Sequence, residues 1–184
     1  MKNKFCRLIA DKRGVAAIEF SFIMPVLLLL YFGLVDLTAM ISMNRKVTYA
    51  ASVVADLVTQ NDSTVTATNI TDYWNAAEMV MKPTPISGVR VEVYQFRKVG
   101  GVISSQWNKK STTGTSCGGT PSTTGMTDLM TDGNDVIVAR VCMTYTPYIA
   151  TFLGTNILGA TSFSLSEQIA LRPRQSATLA CTGC

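Results

Sequence analysis

The chain has 184 residues, 47% of them hydrophobic and 15% charged, which supplies a core and excludes a disordered polyelectrolyte. Its net charge is +4, but Lys2, Lys4, Arg7, Lys12 and Arg13 against Asp11 place that whole excess in the first fourteen residues, leaving eleven charges of each sign beyond. The basic balance is therefore a topology signal, and nucleic acid is excluded as a partner because no clustered basic patch remains.

The length suits one domain plus a membrane segment. Residues 15–35 form an almost wholly apolar run whose one charge is Glu19. As a helix these residues reach about 31 Å, a match for a hydrocarbon core of about 30 Å. Asp36 closes the run, and Arg45-Lys46 follows. Five basic residues before the span and two close after it predict a cytoplasmic N-terminus and an extracytoplasmic C-terminal bulk, in a single pass of the bacterial inner membrane. A cleaved secretory signal would have a shorter apolar core and a small-residue site, which Asp36-Leu37-Thr38-Ala39-Met40 does not offer. An uncleaved signal anchor carrying an extracytoplasmic binding module is the alternative. Pro25 and Gly33 lie inside the span, where Pro25 removes one backbone hydrogen bond and can loosen the helix. Glu19 is costly in lipid. Either it is protonated or reaches back to the interface, or a partner neutralises it.

Helical character continues past the bilayer. Val47, Ala51, Val54 and Val58 recur at spacings of four, three and four, and Ala50 and Leu57 widen the stripe. A helix over residues 15–60 would be about 69 Å long. Asn61-Asp62 and a Thr-rich stretch to Thr68 end it, and residues 71–81 read as a short helix with a Thr cap and Trp74, Ala77 and Met81 on one side. Lys82-Pro83-Thr84-Pro85 stops that helix.

Three alternating segments follow, with faces Val89/Val91/Val93, Ile137/Ala139/Val141/Met143/Tyr145 and Phe163/Leu165/Ile169/Leu171. Residues 102–109, after Gly100-Gly101, make a weaker strand. Period-two alternation predicts an antiparallel sheet with one face covered, and the stripe of the long helix is the element to cover it. The expected fold class is α+β: a long N-terminal transmembrane helix packed on a small antiparallel β-sheet head. The expected division is a leader over residues 1–14, a transmembrane helix over 15–43 and a head over 44–184. Residues 111–133, rich in Gly, Ser and Thr, read as a long surface loop.

Beyond the apolar run stand Cys117, Cys142, Cys181 and Cys184, an even set that fits an oxidising compartment, two disulfides and three possible pairings. Cys117 can tether to Cys142, and Cys181 to Cys184 in a small terminal ring. Reduced thiols or a weak metal site are the alternatives. The chain has no histidine, which removes Ser-His-Asp and Cys-His nucleophile pairs and the commonest zinc sites. The terminal CxxC lacks the helix start that redox chemistry needs. Asp128, Asp132 and Asp135 around Gly133 miss the twelve-residue calcium spacing and read as a solvated turn. Asn61-Asp62-Ser63 and Asn69-Ile70-Thr71 match a glycosylation sequon by chance in a Thr-rich tract. No enzyme, metal or cofactor is expected.

The string Arg13-Gly14-Val15-Ala16-Ala17-Ile18-Glu19-Phe20, continued by Ile23-Met24-Pro25-Val26-Leu27-Leu28 and Asp36, resembles a prepilin-type signal of the TadE-like family, the small pseudopilins of tight-adherence (Flp, type IVc) pilus systems. The resemblance spans residues 11–43. It implies a pilin-like layout and a prepilin peptidase that cuts between Gly14 and Val15, with glycine required before the cut. It also implies that Glu19, beside Phe20, serves recognition or assembly by meeting the freed amine of a neighbouring subunit. The implied partners are that peptidase, other pilins and pseudopilins, the tight-adherence machinery and membrane lipid. The implied role is a minor, pilus-associated pseudopilin in biogenesis or surface adherence. Major Flp pilins are far shorter, and the larger TadG relatives carry extra domain mass.

Overall fold

A computed structural model describes residues 14–153 and 161–183. Helix α1 (Val15–Thr59) is 45 residues long and runs unbroken through Pro25. Strand β1 (Thr64–Thr66) and helix α2 (Ala67–Met81) follow, then β2 (Val89–Val99), β3 (Val102–Lys110), β4 (Asp135–Tyr145), the short helix α3 (Tyr148–Leu153), β5 (Phe163–Leu171) and β6 (Ala180–Thr182). The order β3-β2-β4-β5 makes one antiparallel sheet, and β1 pairs with β6 in a small parallel one. The architecture is the α+β, pilin-like layout expected: a long helix followed by a small antiparallel sheet.

The core lies between the second half of α1 and the inner face of the sheet. Val47, Ala50, Ala51, Val54, Ala55 and Val58 are fully buried against Val89, Val91, Val93, Ile137, Ala139 and Val141. Three alanines in that stripe let the helix axis approach the pleated surface closely. From Asp36 to Thr59 the helix rises about 35 Å, and an eleven-residue strand such as β4 spans about 36 Å, so helix and strand match end to end. Helix α2 closes the remaining flank through Ile70, Tyr73, Ala77 and Met81.

Four expectations need correction. Helix α2 begins at Ala67 and not near Thr71, because Thr66 forms a capping box: its Oγ1 accepts from Asn69 N at 3.3 Å while its own N–H donates to Asn69 Oδ1 at 2.9 Å. Asn69, read as part of a chance sequon, closes that box. Second, the Thr-rich stretch holds a strand, β1, whose Val65 is fully buried and pairs with Cys181 of β6.

Third, the sheet is covered on both faces. Tyr94, Phe96, Val136 and Val138 on the outer side form a second apolar cluster with Met126 and Met130, both carried by the loop between β3 and β4. That loop lies on the surface as expected, and its ends and its two methionines are also stitched down along the sheet. Ser111 N–H donates to Val91 O at 2.7 Å, Thr113 Oγ1 to Val89 O at 2.9 Å, and Gly114 N–H to Ser87 O at 2.9 Å. At Gly114 the backbone has φ +72°, and a Cβ would sit 2.4 Å from Val89 C, so only glycine fits.

Fourth, Asp135 is no solvated turn residue. It is fully buried at the start of β4, where Arg97 Nε and Nη2 grip its two oxygens at 2.6 and 2.9 Å and Leu179 N–H donates to it at 2.6 Å. The same corner receives Trp107 Nε1, which donates to Leu179 O at 2.9 Å. The C-terminal tail is thereby sewn across the far end of the head.

Candidate functional site

From Val15 to the residue before Asp36, α1 packs against nothing in the described structure. Its large apolar side chains there are all exposed, from Leu28 and Leu29 at 43% to Phe22 at 76%. Leaving fifteen such residues in water would cost on the order of 20 kcal/mol, more than the net stability of about 5–15 kcal/mol for a whole domain. The segment is long and apolar enough to cross a membrane. The half of α1 that meets the sheet and the half that does not are divided at Asp36.

At the outer tip of this bare segment Gly14 caps the helix with φ −83° and no side-chain hydrogen bond. A Cβ added to Gly14 would meet nothing within 4 Å, and the φ is open to any residue. Among the described residues nothing therefore demands glycine at that position. Glu19, one turn further, is exposed, as are Val15 and Phe20. Among the described residues no cation or hydrogen-bond donor meets the Glu19 carboxylate. Pro25 sits within continuous helix, and Ser21 Oγ returns a hydrogen bond to Ala17 O at 2.7 Å in the preceding turn.

Asp36 is only 6% exposed. Its carboxylate accepts the backbone N–H groups of Tyr148 at 3.1 Å and Ile149 at 2.7 Å, which are orphan donors in the first turn of α3. Tyr145 Oη donates to the Asp36 backbone carbonyl at 3.3 Å. Burial, with Asp36 and Tyr148 nearby, raises the Tyr145 phenol above its ordinary value, so it stays a donor. The acid that ends the apolar run thus caps a second helix. Sequence reasoning assigned Asp36 no partner, because both amides lie more than a hundred residues downstream and no local pattern announces them.

The outer face carries a second polar centre. Glu92 of β2 is fully buried and faces Arg140 of β4, whose Nη2 lies 2.6 Å from Glu92 Oε2. Tyr94 Oη donates to the same oxygen at 3.2 Å, and Arg90 Nε approaches Oε1 at 3.4 Å. Burial pushes the Glu92 carboxyl up, but the Arg140 hydrogen bond and charge, with Lys110 and Tyr94, outweigh it and hold it below the usual range. Arg140 Nη2 also donates to Gly118 O at 2.8 Å and Gly119 O at 2.6 Å. Beside these contacts Cys117 is disulfide-bonded to Cys142, with Cα atoms 5.5 Å apart. The loop is riveted at adjacent points by a covalent bond and by the hydrogen bonds that Arg140 donates to the Gly118 and Gly119 carbonyls. Cys181 is disulfide-bonded; its expected partner Cys184 lies outside the described residues.

Asp128, Asp132 and Asp135 do not converge, and among the described residues no group of three or more His, Cys, Asp or Glu side chains is placed to hold a metal ion. Asn61, in the other sequon-like triplet, spends its amide on Leu57 O and Val58 O, both at 3.1 Å, and on the Tyr73 hydroxyl. A groove of about 200 Å³ lies between Trp74, Asn75 and Glu78 of α2 and residues 110–113.

Compared with known proteins, residues 14–56 match the sequence model of a family described as TadE-like protein. The match begins at Gly14, covers the bare segment, passes through Asp36 and ends three residues before α1 does. No curated protein and no solved structure matches the chain.

Proposed function

We propose that this chain, TadE-like over the helix that begins at Val15, is a minor pseudopilin of a tight-adherence (Flp) pilus system, processed after Gly14 and active in pilus biogenesis or surface adherence. The observation that carries the reading is the coincidence at Gly14. The family match starts there, the helix starts one residue later, and none of the described residues requires glycine there. A requirement from outside, the peptidase that admits glycine before the scissile bond, accounts for it.

Hydrolysis of the Gly14–Val15 amide leaves a carboxylate on the leader and an ammonium on Val15. The ammonium then stands one turn from Glu19 on the same helix, and both lie at the lipid edge. A like helix packed alongside brings its own Val15 ammonium to this carboxylate. In low dielectric such a pair attracts strongly, and breaking it leaves an uncompensated charge, so it selects one axial register between neighbours. The bare apolar face provides the packing surface in the assembled state and the membrane anchor before it. The leader's five basic residues keep the N-terminus cytoplasmic, and the riveted head lies on the extracytoplasmic side, where disulfides persist.

N-terminal sequencing of protein purified from membranes of a cell carrying the pilus system tests the proposal. A mature chain beginning Val15-Ala16-Ala17 is expected. A chain beginning at Met1 that remains fully competent in piliation overturns it and leaves an anchored extracytoplasmic binding module.

A further inference from the structure

We infer that α3 at the base of the head lies in the membrane–water interface and forms a second lipid contact, with Tyr148 as its aromatic anchor. This rests on the reading that the bare half of α1 spans the bilayer. Asp36 directly follows the twenty-one residues of the almost wholly apolar run, whose length of about 31 Å uses up the hydrocarbon core. Because the Asp36 carboxylate holds the amides of Tyr148 and Ile149, α3 starts at the level where hydrocarbon ends. The two hydrogen bonds also satisfy a charge that would otherwise be exposed to lipid at that depth.

The surface at this level has the composition of an interface. Tyr148 is 81% exposed, the largest exposure among the large hydrophobic side chains described in the head. Phe163, which pairs with Tyr145 across β4 and β5, is 40% exposed at the same end, and Leu37 of α1 is 53% exposed just past Asp36. No Lys, Arg, Asp or Glu occurs in residues 141–166, whereas at the chain's 15% such a length would carry about four. An uncharged segment with tyrosine and phenylalanine outward suits the head-group boundary, where amphipathic rings concentrate. A lipid surface is the occupant because the contact continues the membrane segment without a gap. The consequence is mechanical: the head is held at two points on the bilayer and cannot swivel freely about α1.

The test uses the full chain in phosphatidylcholine vesicles whose acyl chains carry bromine near the head-group end. Tyr148→Trp, Tyr31→Trp and Tyr49→Trp are compared, with the emission of native Trp74 and Trp107 subtracted. Tyr31 is 62% exposed within the span, and Tyr49, also 62% exposed, stands about 20 Å above Asp36 along the helix. All three positions are exposed, so the substitutions leave the core intact. The emission added at position 148 is expected to fall about twofold or more with bromine, as at position 31, while that at position 49 is unchanged. Quenching at position 31 without quenching at position 148 overturns the inference alone. Absence of quenching at position 31 overturns the spanning reading, and the inference with it.

Discussion

Asp36 Oδ2 accepts the backbone N–H of Ile149 at 2.7 Å, joining two residues 113 positions apart where the bare half of the long helix meets the head. The bond makes the boundary between the bare half of α1 and the head a held joint. Asp36→Ala removes both acceptors and leaves the Tyr148 and Ile149 amides orphaned, a loss of about 2–4 kcal/mol confined to α3. Amide exchange of the full chain in detergent should show those two sites at least about tenfold faster, with the amides of β4 at Val138 and Val141 unchanged. Uniform acceleration across the head would show that Asp36 serves global stability and not the joint.

Substitution at Gly14 separates processing from folding. A Cβ there meets nothing, so Gly14→Leu should leave the melting temperature of the head within about one degree of the parent. The mature N-terminus at Val15 should nevertheless vanish, read by sequencing or intact mass. Normal processing of this variant would remove the main support for a prepilin peptidase as partner.

Glu19 should behave in the opposite way. Glu19→Gln keeps size and hydrogen bonding but abolishes the charge, so cleavage continues and the head melts unchanged. Crosslinking between subunits along the helix should fall about tenfold or more, as expected when one partner of a low-dielectric pair is lost. Unaltered crosslinking and piliation would point to a carboxylate that is merely protonated or snorkelled.

Acid should loosen the outer face first. The Glu92 carboxyl is held below its ordinary value of 4.5, so the unfolded chain takes up its proton at higher pH than the folded one. The stabilisation is therefore fully present above about pH 4.5 and is lost as pH falls through the lower, folded value. Glu92→Gln should flatten this part of the stability–pH curve. At neutral pH it should cost about 3–5 kcal/mol, because Arg140 is left buried without its counter-charge. Denaturant midpoints measured from pH 3 to pH 7 check both statements.

The disulfide between Cys117 and Cys142 closes a separation of 25 residues. Replacing both by alanine should lower stability by about 3 kcal/mol through restored freedom of the unfolded chain. If the loop seals the outer face, the variant should also bind a hydrophobic dye at Met126 and Met130 while the core around Val54 and Val141 stays native. Unchanged stability and no dye binding would mean that the Arg140 contacts to Gly118 and Gly119 hold the loop unaided.

Features whose cause lies within a few neighbouring residues were legible in the sequence. The apolar run over residues 15–35 declares a membrane-crossing length, the stripe from Val47 to Val58 declares a packed helix face, and the alternation in β2, β4 and β5 declares a sheet for that stripe to cover. The family resemblance around Gly14 and Glu19 was legible for the same reason, since a motif of consecutive residues is local. Tertiary structure alone decided where Asp36 finds its donors and that the Ser/Thr/Gly loop is a lid on the outer face. It also decided that Asp135 is a buried anchor and that residues 64–66 and 180–182 meet as strands. Each of these joins groups tens of residues apart through one or two polar atoms or a pair of methionines. Such contacts impose no period on the chain, so their physical cause exists only once the backbone has brought them together.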